Sequence, residues 1–123
     1  MDDADRDLYE QAMAVAANAY APYSGFHVGA AVRARDGRVF LGVNVENAAY
    51  PLGVCAEKSA LTRAVTDGCR PGDFEAIAIT ASPCGGCRQW LHELAIDRVT
   101  YARASGEVTT TTPAELLPDT FEL

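Results

Sequence analysis

The amino-acid sequence predicts an α/β fold in which a sheet of about five strands carries helices on both faces. Segments with apolar residues at helical spacing alternate along the chain with short, β-rich apolar segments. Helices and strands in this order bury their apolar faces in a three-layer α/β/α sandwich with the sheet in the middle. The 123 residues, of which 49% are hydrophobic, suffice for one compact core. We therefore predict a single domain over residues 1–123.

The N-terminal part of the chain predicts a helix followed by a β-hairpin. Residues 5–20 indicate the helix, with acidic residues at its front, where they complement the helix dipole. Residues 28–35 alternate in polarity, and one face carries Val28, Ala30, Val32 and Ala34. Asp36-Gly37 indicates a two-residue turn, after which residues 38–45 return as the second strand.

The remaining elements follow in the order helix, strand, helix, strand, strand. The predicted segments are a helix over 55–67 stopped by Gly68, a strand over 74–80, a helix from Cys84, β-rich stretches over 98–103 and 106–112, and about one helical turn after 113.

Composition excludes several classes of function. The net charge is −7, and no run of basic residues exceeds two, which disfavours a surface for nucleic acid polymers. A small neutral substrate is compatible with this charge. The acidic start "MDDADRD" and the lack of an 18-residue apolar run predict a soluble, cytoplasmic protein without a membrane partner.

Three of the four cysteines lie in two short motifs. In a chain without an export signal, metal binding or catalysis is favoured over disulfides. Cys84 and Cys87 are three residues apart, so both thiols project from one side of a first helical turn. Cys55 opens the other helix, and helix N-termini favour the thiolate form that binds zinc. If the two helix starts meet at one edge of the sheet, three sulfurs can share one metal ion.

The sequence offers no well-spaced fourth ligand. Cys69, His27 and His92 are the remaining candidates, and helical rise puts Cys69 about 20 Å from Cys55. A structural zinc site closes with four protein ligands, whereas a catalytic one keeps three and leaves a position for water. Three cysteines therefore predict a catalytic site.

Glu57 lies two residues after Cys55 and has two interpretations. It is either a solvated carboxylate that complements the helix dipole, or the group that takes a proton from a zinc-activated water. The second fits the C-x-E … P-C-x-x-C arrangement of zinc nucleobase deaminases, in which the glutamate is a proton shuttle and not a ligand. Both halves of that arrangement are present, the second with Pro83-Cys84.

The chain resembles the cytidine deaminases, in particular the small, homotetrameric, three-cysteine type. The resemblance covers nearly the whole chain through "PYSGFHVGAAV", "DGRVFLGVNVENAAYPLGVCAEKSA", "SPCGGCRQWL" and "ELLPDTF". It implies a mixed five-stranded sheet between helices. It also implies hydrolytic deamination of cytidine and 2′-deoxycytidine to uridine and 2′-deoxyuridine, with one zinc ion per chain and no organic cofactor.

The resemblance assigns a role to each matching residue. Cys55, Cys84 and Cys87 correspond to the zinc ligands, and Glu57 to the proton shuttle that pairs with the pyrimidine N3. Asn44 and Glu46 correspond to the groups that bind the ribose hydroxyl, and Phe26 to the ring that stacks on the base. The Ala56 N–H faces the base carbonyl, and the Ser82 carbonyl receives the departing amine. Tyr50 and Phe121 correspond to residues that reach a neighbouring subunit's site in a homotetramer.

Two departures from the family pattern lie near the predicted site. Lys58 stands where the family carries an arginine that contacts two zinc-bound sulfurs, so we expect weaker charge compensation, or compensation shared with Arg88. The segment between "AIAIT" and "SPCGGC" is also about half a dozen residues shorter than in the family.

Other functions remain as alternatives. Blasticidin-S deaminase shares the zinc motif, although the Asn44 and Glu46 pair favours an ordinary nucleoside substrate. A catalytically silent zinc-binding assembly module would not need Glu57. A redox C-x-x-C protein would leave "CAE" and "NVEN" unexplained.

Overall fold

The computed structural model describes all residues from 1 to 123. Its helices are α1 (Asp3–Val15), α2 (Ala56–Thr66), α3 (Gly85–Glu93) and α4 (Pro113–Leu116), with 3-10 turns at Ala16–Asn18 and Tyr50–Leu52. Its strands are β1 (Gly29–Ala34), β2 (Val39–Val43), β3 (Phe74–Ile79), β4 (Arg98–Ala102) and β5 (Val108–Thr111). None of the helices is both long and apolar enough to cross a bilayer.

The five strands form one mixed sheet in the order β2-β1-β3-β4-β5. β3 and β4 are parallel, and the other neighbouring pairs are antiparallel. The mixed five-stranded sheet is confirmed.

Helices cover both faces of the sheet. On one face, Leu8 and Ala12 of α1 pack against Ala31, Ala76 and Ala78. On the other face, an 18-residue buried cluster joins α2 and α3 to the strands. Val28, Ala30, Val32 and Ala34 all belong to this second cluster, as their alternation predicts. The three-layer α/β/α prediction is confirmed.

The hairpin loop is longer than predicted. Four residues, 35 to 38, separate β1 from β2, and the Asp36 carboxylate accepts the Arg38 N–H at 3.0 Å. Gly37 has φ of +94°, a conformation that glycine adopts without a steric penalty. The side chain of Asp36 therefore shapes a wider turn than the Asp-Gly pair alone indicates.

The first helix is shifted towards the N-terminus relative to the prediction. The Asp2 side chain caps α1 by accepting the Asp5 N–H at 2.8 Å, so the helix begins at Asp3. It ends at Val15, and the 3-10 turn at Ala16–Asn18 replaces its predicted last turn.

Candidate functional site

Four chain segments meet at one edge of the sheet. The register pairs Gly29 with Val43 and Ala30 with Ile79, so β1 starts where β2 and β3 end. The residues just before β1, after β2 and after β3 therefore lie together. The N-termini of α2 and α3 bring the cysteines to the same edge.

The three predicted ligands form a cluster of sulfur atoms. Cys55 and Cys84 are the N-cap residues of α2 and α3, and Cys87 lies in the first turn of α3. The three Sγ atoms lie within 4.8 Å of one another, and those of Cys55 and Cys84 are 3.9 Å apart. A tetrahedral zinc ion with Zn–S bonds of about 2.3 Å needs sulfurs about 3.8 Å apart. The cluster therefore fits one zinc ion.

The ionisation of the thiols is unequal. The pKa of Cys55 is lowered to about 6, because the Cys87 and Cys84 thiols donate hydrogen bonds to its sulfur and the Lys58 charge lies nearby. The pKa of Cys87 is raised, because its proton is held by the Cys55 sulfur and because it is buried. One thiolate is thus stabilised by its neighbours' protons, a role that a divalent cation can take over.

None of the other candidate ligands joins the cluster. Cys69 is buried at the far end of α2, where the Arg38 guanidinium lies 3.5 Å from its sulfur. His92 pairs with Glu122 at 3.4 Å. The protein ligand set therefore stops at three sulfurs, the number typical of a catalytic zinc site.

Glu57 is buried beside the sulfur cluster. It is the second residue of α2, and only 4% of its surface is exposed. Burial raises the pKa of its carboxyl group. A solvated helix carboxylate would be exposed and would show no such shift, so the structure argues against that interpretation.

A pocket of about 230 Å³ adjoins the sulfur cluster. It is lined by Phe26, Val28, Asn44, Cys55, Ala56, Glu57, Ile79, Ala81, Ser82 and Cys84. Its walls are mostly apolar, with a few polar side chains among them. A small planar ligand suits such a space. Ala56 is the first residue of α2, so its N–H has no partner within its own helix.

Asn44 lines this pocket and also fixes the loop that precedes β1. Its Oδ1 accepts the Val28 N–H, and its Nδ2 donates to the Phe26 carbonyl, both at 2.8 Å. The family resemblance implies a sugar-binding amide at Asn44 and gives no sign of this bracing role.

Glu46 lines a second pocket, whose wall residue Ser24 accepts the N–H of Phe26 in the wall of the first at 3.0 Å. The second pocket, of about 360 Å³, is lined by Tyr23, Ser24, Glu46, Asn47, Tyr50 and Gly53. Glu46 accepts the N–H groups of Tyr23 at 2.9 Å and Ser24 at 3.1 Å, and it also binds the Ser24 hydroxyl. The Ser24 hydroxyl is the main cause that holds the pKa of Glu46 below its ordinary value.

Tyr50 and Phe121, the two residues predicted to reach a neighbouring subunit's site, differ in their position relative to the pockets. Tyr50 lines the second pocket and is 83% exposed. Phe121 is 68% exposed and lines neither of the two pockets. Tyr23, Ser24 and Ala81 were not predicted as site residues. Tyr23 and Ser24 lie in the motif "PYSGFHVGAAV", but only the tertiary structure shows that they line a pocket.

Lys58 and Arg88 make different contacts near the site. Gly86 lies between the Lys58 ammonium group and the Cys84 sulfur, because a Cβ at Gly86 would be 3.9 Å from Lys58 Nζ and 3.9 Å from Cys84 Sγ. The ammonium group therefore borders the sulfur cluster. Arg88 instead donates to the carbonyls of Pro83 at 2.9 Å and Leu116 at 3.1 Å. Its remaining hydrogen bond is with the Ser82 hydroxyl, so Arg88 braces the segment before Cys84. That Arg88 helps Lys58 to compensate the negative charge of the thiolates stays a prediction.

A mixed sheet with three cysteines and a buried carboxylate at one pocket defines the class of zinc-dependent hydrolases with an open metal position. Residues 2–103 match the model of the cytidine and deoxycytidylate deaminase zinc-binding region. The chain therefore belongs to this deaminase family, and the resemblance seen in the sequence is confirmed.

Named relatives agree with this assignment. The cytidine deaminase of Halalkalibacterium halodurans is 43% identical over 93% of this chain and 91% of its own length. That of Sporosarcina psychrophila is 44% identical over 84% of this chain and 80% of its own length. The crystal structure of cytidine deaminase from Burkholderia pseudomallei superposes with a TM-score of 0.88 at 45% identity. The superposition covers 98% of this chain and 100% of the Burkholderia chain.

Proposed function

We propose that the protein is a zinc-dependent cytidine deaminase that converts cytidine and 2′-deoxycytidine to the uracil nucleosides with release of ammonia. The observation that carries this proposal is the buried Glu57 carboxyl group beside three clustered sulfurs at one small pocket. Family membership supports the same reaction.

The residues of the pocket divide the work of the reaction. Cys55, Cys84 and Cys87 would hold a zinc ion, which would supply the Lewis acidity that lowers the pKa of a water molecule. Glu57 takes the proton of that water and delivers it to the pyrimidine N3. The carbon that carries the amine gains the water oxygen and loses ammonia, so one water is consumed for each ammonia released.

The other pocket residues hold the substrate. Phe26 stacks on the base, the Ala56 N–H donates to the base carbonyl, and the Ser82 carbonyl accepts from the departing amine. Asn44 and Glu46 bind the sugar. Phe26, Ala56 and Ser82 line the first pocket, which suits the base, and Glu46 lines the second, which suits the sugar. Asn44 lines the first pocket, so its role towards the sugar rests on the family resemblance.

Free nucleosides fit the site better than nucleotides. Neither pocket has a lysine or arginine in its wall, and the Glu46 carboxylate faces the sugar end. A phosphate group would meet a negative charge there without a basic partner. Conversion of free nucleosides is the chemistry of pyrimidine salvage. A cytoplasmic location is consistent with this role, because the site needs reduced cysteines.

We also propose that residues 1–123 act as one domain and assemble as a homotetramer with shared sites. The side chains of Tyr20, Tyr23, Tyr50 and Leu52 are each more than half exposed, and two of them line the second pocket. Exposed aromatic and aliphatic groups around a site are typical of interfaces. The Phe121 ring is exposed as well and is available to a neighbouring subunit.

The test is loss of the cytosine-ring absorbance when the zinc-loaded protein is incubated with a nucleoside. We expect cytidine and 2′-deoxycytidine to be converted, in preference to cytosine and blasticidin S. Glu57→Gln should lower kcat at least about 100-fold, because proton transfer is lost. It should still bind one zinc per chain by elemental analysis.

Glu10→Gln is the matched control, because Glu10 is an exposed carboxylate of α1 outside the site. It should retain full activity. A Glu57→Gln variant that works at nearly the wild-type rate would contradict the proposed role of Glu57, and a wild-type protein that converts none of these compounds would overturn the function.

A further inference from the structure

The Phe26 ring is held by its backbone rather than by packing. It lines the first pocket although it is 62% exposed, so the core does not fix its position. Its carbonyl accepts from Asn44 Nδ2 at 2.8 Å, and its N–H donates to Ser24 Oγ at 3.0 Å. The placement of the ring therefore depends on two polar side chains.

Ser24 connects Phe26 to Glu46. A carboxylate can only accept, so the Ser24 hydroxyl donates its proton to Glu46 and accepts from the Phe26 N–H. The Ser24 N–H donates to the other oxygen of Glu46 at 3.1 Å. One serine thus binds both oxygens of the carboxylate and the backbone of the ring.

Glu46 retains room for a ligand in this arrangement. Its two oxygens offer about four acceptor positions, and the N–H groups of Tyr23 and Ser24 and the Ser24 hydroxyl occupy three. One position remains, and because Glu46 lines the second pocket, a sugar hydroxyl bound there can donate to it. Ser24 therefore orients the carboxylate and leaves it able to accept a hydrogen bond from a ligand.

We propose that Ser24 is a positioning residue that ties the sugar-binding carboxylate of Glu46 to the base-stacking ring of Phe26. This inference rests on the proposed function. With Ser24 in place, the two pockets form one preorganised site that binds sugar and base together. Without its hydroxyl, Glu46 loses a donor and the loop that carries the ring loses its tie to the sugar pocket.

The experiment compares Ser24→Ala with the wild-type zinc-loaded protein. We expect KM for cytidine and the dissociation constant of uridine to rise about tenfold, as for loss of a hydrogen bond to a charged group. The kcat should change less than threefold, since Glu57 and the cysteines are untouched. Ser24→Thr should stay within about threefold of the wild type, because it keeps the hydroxyl at an exposed position.

A double-mutant cycle with Glu46→Ala tests the connection itself. The double variant should bind uridine no more than about threefold worse than Glu46→Ala alone, because both changes break the same tie. Ser105→Ala is the matched control, since Ser105 is exposed, lines neither pocket, and its Oγ also accepts the N–H two residues on, at 3.3 Å. It should bind uridine as the wild type does.

Each result separates the inference from the proposed function. If Glu46→Ala weakens uridine binding while Ser24→Ala does not, the role of Ser24 is wrong and the function stands. Fully additive losses, or a Ser24→Thr variant as weak as Ser24→Ala, would also overturn the role of Ser24. If the wild type neither binds uridine nor converts cytidine, both proposals fail together.

Discussion

Lys58 is the only lysine of the chain, and its ammonium group borders the sulfur cluster. Three thiolates outweigh the two positive charges of a zinc ion, so a nearby cation lowers the cost of gathering them. Lys58 has no carboxylate within ion-pair distance, which leaves its charge available to the sulfurs. An ammonium supplies this charge as a point, without the fork of a guanidinium.

Removing this charge should weaken zinc binding. We expect Lys58→Gln to lower zinc affinity about tenfold, the usual cost of losing a group that supports metal ligands. Competition with a chromophoric chelator measures the change without any activity assay. Lys58→Arg keeps the charge and adds the guanidinium fork, so it should bind zinc at least as tightly as the wild type. Equal affinities for Lys58→Gln and the wild type would show that the ammonium does not support the cluster.

At the scale of elements, the contact of α2 with β2 sets the position of the site. A Cβ on Gly42 would lie 2.3 Å from the Ala60 nitrogen and 2.6 Å from the Ala56 carbonyl oxygen. Both are backbone atoms and cannot turn aside. The absence of a side chain at Gly42 therefore lets the start of α2, with Cys55 and Glu57, lie directly on the sheet.

A methyl group at this position should push α2 away. We expect Gly42→Ala to lower the free energy of unfolding by about 2–3 kcal/mol, as for other overpacked interiors. Urea denaturation measures the loss. Gly85→Ala is the control, because a Cβ there has open space and its φ is ordinary. A Gly42→Ala protein as stable as the control would disprove the close contact.

At the scale of the whole molecule, a partly buried ion cluster centred on the buried Asp5 fastens α1 to three strands. The Asp5 carboxylate lies 2.9 Å from the Arg33 guanidinium of β1 and 3.0 Å from that of Arg98 in β4. Glu75 of β3 pairs with both arginines. The hydrogen bond from Arg98 is the main cause that lowers the pKa of Asp5 below its ordinary value.

This cluster should make stability depend on pH. Because the pKa of Asp5 is lower in the folded state, its stabilisation is complete above the unfolded value near 4 and is lost as the pH falls through the folded value. We expect Asp5→Asn to cost about 2 kcal/mol of unfolding free energy at pH 7 and much less at pH 2. Urea denaturation at the two pH values measures both.

Asp3→Asn provides the comparison, since Asp3 is fully exposed and pairs only with Arg6. It should change stability by no more than about 0.5 kcal/mol at either pH. An Asp5→Asn protein that loses the same free energy at pH 7 and pH 2 would mean that the charge of Asp5 does not stabilise the fold.

Local patterns predicted the elements and the metal cluster well. Alternation identified the buried face of β1, and spacing of three placed Cys84 and Cys87 on one helical turn. The ends of elements were less accurate, because side chains such as Asp2 and Asp36 decide them through individual hydrogen bonds.

The sequence by itself determined the order of helices and strands and the placement of Cys84 and Cys87 on one helical turn, since both depend on neighbours a few residues apart. Its motifs also identified the deaminase family, which implied that Cys55, 29 residues before Cys84, joins the cluster. Only the tertiary structure decided that Asn44 braces Phe26, that Ser24 binds Glu46 and that Arg88 holds the segment before Cys84. Most of these contacts join residues far apart in the chain. Strand register and helix packing bring such residues together, and no local periodicity encodes that meeting.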